Sequence, residues 1–309
     1  MIDVQHLRKL YGELVAVDDA SFSVVSGQIF GLLGPNGAGK STTIGCISGL
    51  LQPSGGVVKV LGHDIVTDGP AARAALGIVP QELALYEDLS ATENLRYWGA
   101  AYDLRGADLK RRVAEVLEVI GLLDRAKEPV KKFSGGMKRR LNFGCGIVHR
   151  PRVLLLDEPT VGVDPQSRVR LLDLVRAQAK AGTGVLYTTH YMEEAQTLCD
   201  RLAIIDHGKI IAMGTLDELR RMMGERDLLR LAGVFDPERA AGALRGFDGA
   251  EIVGADAGHL LLALEGASRK LPAIFTALAS SGAEVRETTI TQPSLETLFI
   301  KLTGRELRE

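Results

Sequence analysis

The chain has 309 residues, a formal net charge of -2, 46% hydrophobic residues and three cysteines. This length predicts about two domains, and the near-neutral charge excludes binding to nucleic acid or anionic membranes through a global electrostatic field. The odd cysteine count without a CxxC spacing argues against a disulfide scaffold and favours a reducing compartment, with Cys46, Cys145 and Cys199 as ordinary core residues.

The sequence predicts no membrane crossing. Its start, MIDVQHLRKLYG, lacks the apolar stretch and the small-residue cleavage site of a secretion signal. No window approaches the run of about 20 apolar residues that a membrane helix needs. We therefore expect a soluble, cytoplasmic protein.

The first part of the chain predicts strands that lead into a glycine-rich turn. IDVQHL, ASFSVV and QIFGLL have the composition of short strands. The last of them runs into GPNGAGKSTTIGCISGL, which predicts a turn that opens a helix. AALGIV, at residues 74–79, predicts a further strand.

A helical segment follows, from about Ser90 to Val148. Ser90 and Glu93 have the spacing of a capping box. An apolar stripe with helical period precedes Gly121 and consists of Leu109, Val113, Val116, Leu117 and Ile120. We expect a helical subdomain at about residues 88–148, inserted into an α/β unit.

Strand patterns then return. They are VLLL at 153–156, VLYTT at 185–189, LAIID at 202–206 and KIIAM at 209–213, the last two joined by a turn at His207 and Gly208. Residues 1–220 therefore predict one α/β domain. From residue 226 the order β-α-β-β-α-β predicts a small ferredoxin-like α+β domain at 226–309, closed by a helix with Pro293 near its start and Gly304 near its end.

Two motifs are typical of a phosphate-binding P-loop protein. GPNGAGKS fits G-x-x-x-x-G-K-[ST] in its required context between a buried strand and a helix, with Lys40 as the point charge and Ser41 as a magnesium ligand. VLLLDEPT places Asp157 at a strand end, where it can hold the same magnesium ion. Glu158 is interpreted as a general base or water-orienting group in preference to a helix-capping acid.

Three further features have two interpretations each. His190 ends a predicted strand and is either structural or functional. Gln81 follows another strand in VPQE and is either an ordinary polar loop residue or functional. Ser134, in KKFSGGMKRR, either belongs to a solvated turn or presents its hydroxyl and the N–H groups of Gly135 and Gly136 to an anion at a helix N-terminus.

Taken together, GPNGAGKST, FSGGM, LLLDEPTVGVDP and TTH, in this order, resemble the ATP-binding subunits of ABC transporters over residues 1 to about 220. The resemblance implies ATP and Mg²⁺ as cofactors, with Glu158 as catalytic base, His190 as γ-phosphate switch, and Lys40 and Gln81 as further catalytic residues. Ser41, Gln81 and Asp157 would be the magnesium ligands. The implied positions that bind ATP in the same chain are Tyr11, Gly34, Pro35, Asn36, Gly37, Ala38, Gly39, Lys40, Ser41 and Thr42.

The resemblance also implies that the site is shared between two subunits. In the family, the serine-glycine-glycine segment completes the nucleotide site of a partner subunit arranged head to tail. Ser134, Gly135 and Gly136 would therefore reach the partner's γ-phosphate, with Asp164 in the dimer-contact loop. The family usually has glutamine where this chain has Met137, and we expect a small effect of that difference. Lys138, Arg139 and Arg140 are interpreted as solvated in preference to an interface role.

Met137, YEDLSATENLRYWG and SLETLFIKLTGREL are similar to one branch of the family, exporters whose ATPase and membrane subunits are separate chains. The expected partners are membrane permease subunits and a second ATPase, identical or a sister chain, without nucleic acid, at the cytoplasmic face of the membrane. Tyr86, Tyr97, Trp98 and Tyr102 form either the docking site for a membrane-subunit helix or the core of the insert.

Two further alternatives concern function. The C-terminal domain is interpreted as a packing or dimer-supporting module in preference to a ligand sensor. A soluble ABC ATPase that acts on ribosomes or DNA is the alternative to a transport motor, although the chain lacks long coiled-coil insertions and a second ATPase domain. A P-loop kinase or GTPase leaves FSGGM and TTH unexplained.

Overall fold

The computed structural model describes residues 1–223, 226–245, 247, 249–291 and 295–303. The chain divides into two compact units, Met1–Met213 and Gly214–Glu309. The helix predicted to close the chain is present, but the positions proposed for Pro293 and Gly304 lie outside the described residues.

The first unit contains two sheets. Its strands are β1 (Ile2–Tyr11), β2 (Leu14–Val24), β3 (Ile29–Leu33), β4 (Gly55–Val60), β5 (His63–Asp64), β6 (Leu76–Val79), β7 (Val153–Asp157), β8 (Gly184–Thr189), β9 (Arg201–Asp206) and β10 (Lys209–Gly214). One sheet has the order β2-β1-β4-β5 and is antiparallel. The other has the order β10-β9-β3-β8-β7-β6, and its strands from β9 to β6 are parallel.

The parallel register decides where the site can form. Leu33 of β3 pairs with Thr189 of β8, and Asp157 of β7 pairs with Thr188. The carboxyl ends of these strands therefore lie at one edge of the sheet, which is where open parallel sheets bind ligands. The segments that follow the strands begin at Gly34, Glu158 and His190.

The helices of the first unit are α1 (Lys40–Ile47), α2 (Gly69–Ala74), α3 (Ala91–Ala101), α4 (Gly106–Val119), α5 (Gly135–Ile147), α6 (Pro165–Lys180) and α7 (Met192–Leu198). The predicted helical insert is confirmed as α3 to α5. Ser90 and Glu93 form the predicted capping box at the start of α3. Val113, Val116, Leu117 and Ile120 of the predicted stripe are buried, while Leu109 is partly buried.

Three predicted strand boundaries are wrong. The strand expected at 2–7 continues to Tyr11 as β1. The strand expected at 20–25 begins six residues earlier, at Leu14, because it pairs with β1 along almost its whole length, from Tyr11↔Leu14 to Ile2↔Val24. The strand expected at 74–79 starts only at Leu76, because Ala74 ends α2. That short helix has Pro70 in its first turn and an alanine-rich body, both favourable for helix formation.

Two apolar clusters hold the first unit together. One packs the insert helices and α6 against the parallel sheet, with Phe143, Leu154 and Tyr187 at its centre. The second lies between the antiparallel sheet and the parallel sheet and includes the stacked rings of Phe22 and Phe30. All three cysteines are free, and burial raises the pKa of Cys46 to about 11, in keeping with ordinary core residues.

The second unit has the predicted β-α-β-β-α-β order. Its elements are α8 (Leu216–Met223), β11 (Asp227–Val234), α9 (Pro237–Leu244), β12 (Glu251–Ala255), β13 (His259–Leu264), α10 (Ala267–Ser280), β14 (Glu284–Thr291) and α11 (Leu295–Thr303). The antiparallel sheet has the order β12-β13-β11-β14, the arrangement of a ferredoxin-like fold. Its core joins the inward leucines of β11 and β13 to α9 and α10.

Candidate active site

The phosphate loop is built on the end of β3. Gly34 follows the strand directly, and a Cβ there would lie 2.3 Å from the carbonyl oxygen of Ile205. Gly39 has φ 106 at the N-cap of α1, and a Cβ there would lie 2.5 Å from the carbonyl oxygen of Ala16. Both positions exclude any other residue, so glycine lets the loop pack tightly against its neighbours.

Lys40 is the buried cation of this loop. Its side chain is 4% exposed, and Nζ donates hydrogen bonds to the carbonyl oxygens of Gly34 (2.7 Å) and Pro35 (2.9 Å). Nζ also lies 2.9 Å from Oε1 of Glu158. The ammonium group is therefore satisfied by two carbonyl oxygens of its own loop and by one carboxylate.

Glu158 is the point at which the four predicted catalytic residues meet. Lys40 pairs with its Oε1, whereas Gln81 Nε2 (3.5 Å) and His190 Nδ1 (3.2 Å) lie near its Oε2. Burial raises the pKa of Glu158, but the hydrogen bond and charge of Lys40, together with nearby His190, outweigh burial and hold this pKa below its ordinary value. The carboxylate is thus ionised at neutral pH.

The backbone at Glu158 is also unusual. Its φ is 44, a left-handed conformation that a non-glycine side chain seldom adopts. The N–H of Glu158 donates to Oγ1 of Thr188 at 3.0 Å, and the same hydroxyl donates to Oδ1 of Asp157 at 2.7 Å. Strained residues of this kind cluster at functional sites, because the surrounding structure must hold them in place.

The predicted magnesium ligands form a set of oxygen donors. Ser41 and Gln81 line the same cavity, and Asp157 lies 8% exposed at the end of β7, one residue before Glu158. Among the described residues no group of three His, Cys, Asp or Glu side chains could hold a metal. Mg²⁺ is usually bound by one or two carboxylates and by substrate phosphates, so this donor set fits that ion.

A cavity of about 530 Å³ lies over the phosphate loop. Its lining residues are Tyr11, Leu14, Val15, Ala16, Asn36, Gly37, Gly39, Lys40, Ser41, Thr42, Gln81, Glu158 and His207. Tyr11 is 45% exposed at the end of β1, with Lys9 Nζ 5.0 Å from its ring centroid. The cavity therefore joins an exposed aromatic ring to the buried cation and carboxylate.

Sequence reasoning missed four of these lining residues. Leu14, Val15 and Ala16 begin β2, and His207 lies in the turn between β9 and β10. The turn was predicted, and both of its residues have positive φ as a tight hairpin requires. Two backbone hydrogen bonds of Gly208 hold this turn beside the phosphate loop. The Gly208 N–H donates to the Ala38 carbonyl oxygen, and the Gly208 carbonyl oxygen accepts the Asp18 N–H. No local sequence pattern reveals these contacts.

Ser134 is the N-cap of α5, as the anion-site interpretation requires. Its Oγ accepts a hydrogen bond from the Met137 N–H at 3.3 Å. Ser134 and Gly135 are exposed, and a Cβ on Gly135 would meet nothing within 4 Å. A Cβ on Gly136 would lie 2.1 Å from Ser167 Oγ, so this glycine permits close packing against α6.

Asp164 lies on the other side of that contact. It is the N-cap of α6, and its Oδ1 accepts the Ser167 N–H at 2.9 Å. This backbone hydrogen bond lowers the pKa of Asp164. Neither Asp164 nor the segment from Ser134 to Gly136 lines the cavity over Lys40. The structure therefore places these predicted residues on a separate surface of the same unit.

The expectation that Lys138, Arg139 and Arg140 are solvated is wrong. Lys138 Nζ donates to Glu87 Oε1 at 2.6 Å. Arg139 donates to the carbonyl oxygens of Gln81 and Val161, and Arg140 donates to those of Ile120 and Gly121, at the end of α4. Each cation is partly buried because it satisfies carbonyl or carboxylate oxygens of its own chain.

The aromatic residues of the insert divide between core and surface. Trp98 packs against the core and donates its Nε1–H to the Ala84 carbonyl oxygen at 3.2 Å. Tyr86 and Tyr97 form an edge-to-face pair with centroids 4.8 Å apart, and they are 44% and 49% exposed. Tyr102 stacks instead on His149 at 3.5 Å. Trp98 thus has the core role, and Tyr86 and Tyr97 form the exposed aromatic pair.

Comparison with known proteins agrees with this geometry. The family described as ABC transporter matches residues 17–161, and the family described as the C-terminal domain of DrrA1-3-like ATP-binding proteins matches residues 214–303. The linearmycin resistance ATP-binding protein LnrL of Bacillus subtilis is 42% identical over the full length of both chains. The chain belongs to the ABC transporter ATP-binding protein family.

Two further comparisons extend this result. The Nod factor export ATP-binding protein I of Ralstonia nicotianae is 38% identical over 100% of this chain and 95% of its own. A solved ATP-binding subunit of an ABC transporter is 34% identical, with a TM-score of 0.67 over 72% of this chain and 93% of its own. The protein is an ATP-binding ATPase of a family whose subunits work with membrane subunits. In the described part of the chain, no helix has the length and apolarity that a bilayer crossing requires.

Proposed function

We propose that this protein is the ATP-hydrolysing motor subunit of an exporter whose membrane subunits are separate chains. The observation that carries the proposal is the convergence of Lys40, Gln81 and His190 on the carboxylate of Glu158, at the base of the cavity. The names of two relatives, one a resistance protein and one an export protein, support outward transport. The transported compound depends on the membrane subunits.

Glu158 acts in this proposal as the general base. Lys40 Nζ lies 2.9 Å from its Oε1, and the phosphate oxygens of a bound ATP would compete with that carboxylate for the ammonium group. When ATP binds, the lysine exchanges Glu158 for phosphate and frees the carboxylate to accept a proton from the attacking water. The β–γ phosphoanhydride bond then breaks to give ADP and phosphate. His190 and Gln81 orient the base and the γ-phosphate.

Ser41, Gln81 and Asp157 would hold Mg²⁺ with the phosphates. When bound, the ion supplies positive charge that offsets the charge of the phosphate oxygens. The residues themselves fit this role, because a hydroxyl, an amide oxygen and one carboxylate are hard oxygen donors. Thr188 orients Asp157 through the hydrogen bond to Oδ1, which leaves Oδ2 for the ion.

We further propose that two copies, or this chain and a sister ATPase, combine head to tail. Ser134 and Gly135 are exposed, and the segment from Ser134 to Gly136 does not line the cavity of its own chain, which supports a contact with the partner's nucleotide. The aromatic pair Tyr86 and Tyr97 is the proposed contact for a membrane subunit. In this proposal the protein acts at the cytoplasmic face of the membrane, with the first unit (Met1–Met213) as ATPase domain and the second unit (Gly214–Glu309) as accessory domain.

The test is purification of a tagged Glu158→Gln variant from the native host with ATP after detergent extraction of membranes. We expect turnover about 100-fold to 1000-fold below wild type, because a preorganised transition-state group is lost. We also expect a multi-span membrane protein in stoichiometric amount. The matched control is Glu118→Gln, an exposed acid in α4, which should keep full turnover. Ribosomes or DNA in place of a membrane protein, or full turnover in Glu158→Gln, would contradict the proposal.

A further inference from the structure

A second buried carboxylate lies behind the catalytic residues. Glu194 of α7 is 2% exposed, and its Oε2 accepts three hydroxyl hydrogen bonds. The donors are Tyr187 (2.8 Å), Thr160 (2.9 Å) and Thr189 (3.1 Å). They come from the segment after Glu158 and from the end of β8. One oxygen atom therefore joins the two backbone segments that carry the proposed base and the proposed switch.

The bonds of Glu194 restrain His190 on both sides. Thr189, directly before it, donates to Glu194, and the Thr189 hydroxyl in turn accepts the N–H of Tyr191, directly after it, at 2.9 Å. Thr160, two residues beyond Glu158, donates to the same Oε2. The carboxylate of Glu194 thus helps to fix the 3.2 Å distance between His190 Nδ1 and Glu158 Oε2.

The other oxygen of Glu194 faces α6. Its Oε1 lies 3.4 Å from Nε of Arg168, and both atoms are buried without a hydrogen-bond partner among the described residues. The guanidinium carbon of Arg168 also lies over the ring of Tyr191, 4.6 Å from its centroid. The backbone N–H of Arg168 donates to the carbonyl oxygen of Asp164. The two side chains form an ion pair in which the hydrogen bond is not made, and a small shift of α6 would complete that bond.

We propose that Glu194 is a positioning residue for ATP hydrolysis. Its Oε2 sets the spacing between Glu158 and His190, and its Oε1 couples that spacing, through Arg168, to the turn at Asp164. A displacement of Asp164 at a subunit contact would close or open the Arg168–Glu194 bond and so change the position of His190. The inference rests on the proposed roles of Glu158, His190 and Asp164.

Glu194→Gln tests the first step. The amide keeps the shape of the side chain, but only one of its two polar atoms can accept a hydrogen bond, so the three hydroxyls and Arg168 can no longer all be satisfied. We expect kcat to fall at least about tenfold, because small misplacements of reacting groups are expensive in rate. We expect KM for ATP to stay within about twofold, since Glu194 does not line the cavity. Glu193→Gln, an exposed neighbour on α7, is the matched control and should keep both constants.

Arg168 variants test the second step and guard against misfolding of Glu194→Gln. Arg168→Met leaves the three hydroxyl bonds intact, and we expect a severalfold loss of kcat at unchanged KM that Arg168→Lys restores at least in part. Wild-type kcat in folded Glu194→Gln, or equal loss in Arg168→Met and Arg168→Lys, overturns the inference. Glu158→Gln is measured alongside: full turnover there contradicts the proposed function, whereas loss there with wild-type kcat in Glu194→Gln contradicts only the positioning role.

Discussion

The Gly34–Thr42 loop and the Ser134–Gly136 segment both lie at the N-terminus of a helix, yet their surroundings differ. The first is enclosed: its lysine is 4% exposed and pairs with Glu158 inside a cavity of about 530 Å³. The second is open: the Ser134 hydroxyl accepts a hydrogen bond from its own helix, and there is free space beside Gly135. A helix N-terminus attracts anions in either case, but only the enclosed one has a counter-charge and a catalytic group in the same chain.

The N-terminus of a helix is therefore not by itself a complete phosphate site. The enclosed loop can bind and position a phosphate with its own residues. The open segment has a glycine whose bare face is directed at solvent, and it becomes useful only when another molecule brings a phosphate to it. We propose that head-to-tail pairing of two subunits brings the enclosed loop of one subunit to the open segment of the other. A substitution in the loop or in the segment can test this pairing.

Gly135→Asp has the largest expected effect on the open segment. A side chain fits there without clash, and an acid in the first helical turn suits the helix dipole, so the variant should fold. Its carboxylate would repel a partner's phosphates, and we expect steady-state ATP turnover to fall about 100-fold. Gly242→Asp, an exposed helix glycine of the second unit with equally free space, is the control and should remain active.

A mixture of Gly135→Asp with Lys40→Met tests whether the two segments complete one site across two subunits. Each variant alone is inactive, but a mixed head-to-tail dimer contains one site with an intact Lys40 and an intact Gly135. We therefore expect turnover in the mixture to exceed that of either variant alone and to reach at most about a quarter of wild type for independent sites in a symmetric dimer. A mixture no more active than its components would show that both segments serve the same chain's site.

Lys40→Met also changes the pH dependence of stability at the enclosed site. With Lys40 present the folded-state pKa of Glu158 is lowered, so its stabilising contribution is complete above the ordinary value of 4.5 and is lost as pH falls through the folded-state pKa. Without Lys40, burial raises this pKa and the ionised carboxylate destabilises the fold. We expect the free energy of unfolding of wild type to exceed that of Lys40→Met at pH 7. This difference should narrow as pH falls through the raised pKa of Glu158 in the variant, above 4.5, and then through its lowered pKa in wild type, below 4.5.

Denaturant titrations at several pH values measure this gap. Ser134→Ala is the control from the open segment, because it removes an N-cap hydroxyl, about 1 kcal/mol, without removing a charge. Its effect should not depend on pH between 4 and 7, about the range of the titrations. An equal, pH-independent loss in Lys40→Met would contradict the ion pair with Glu158.

Much of the fold followed from the sequence because local patterns carry it. The capping box at Ser90, the stripe that ends before Gly121 and the hairpin at His207 each depend on neighbouring residues, and all three are confirmed. The starts of β6 and of β2 were placed less well, because Ala74 belongs to α2 and because β2 pairs with β1 as far as Leu14. Boundaries of this kind are decided by tertiary partners.

The side chains of the site that belong to a recognisable motif could be predicted from the sequence. The contacts between segments that are distant in sequence could not. Lys40, Glu158 and His190 lie in or near recognisable motifs, and the structure brings them together. Arg139, by contrast, bridges the carbonyl oxygens of Gln81 and Val161, and Glu194 collects hydroxyls from two separate segments. Except for the bond between Thr189 and Glu194, these contacts join residues at least 22 positions apart in sequence, and they follow from the packing of α5 and α7 against the sheet.

Met137→Gln has the smallest expected effect. The only bond that links Met137 to Ser134 in the open segment is made by the backbone N–H, which donates to Ser134 Oγ at 3.3 Å and survives any substitution except proline. The thioether itself packs against the insert core and does not line the cavity over Lys40. Glutamine at this position should therefore leave the segment's hydroxyl and N–H groups in place, and we expect ATP turnover within about tenfold of wild type, or 1.4 kcal/mol of barrier. A larger increase in steady-state turnover would mean that the side chain after the second glycine acts on the phosphate directly, and the open segment would then depend on more than its backbone and one serine.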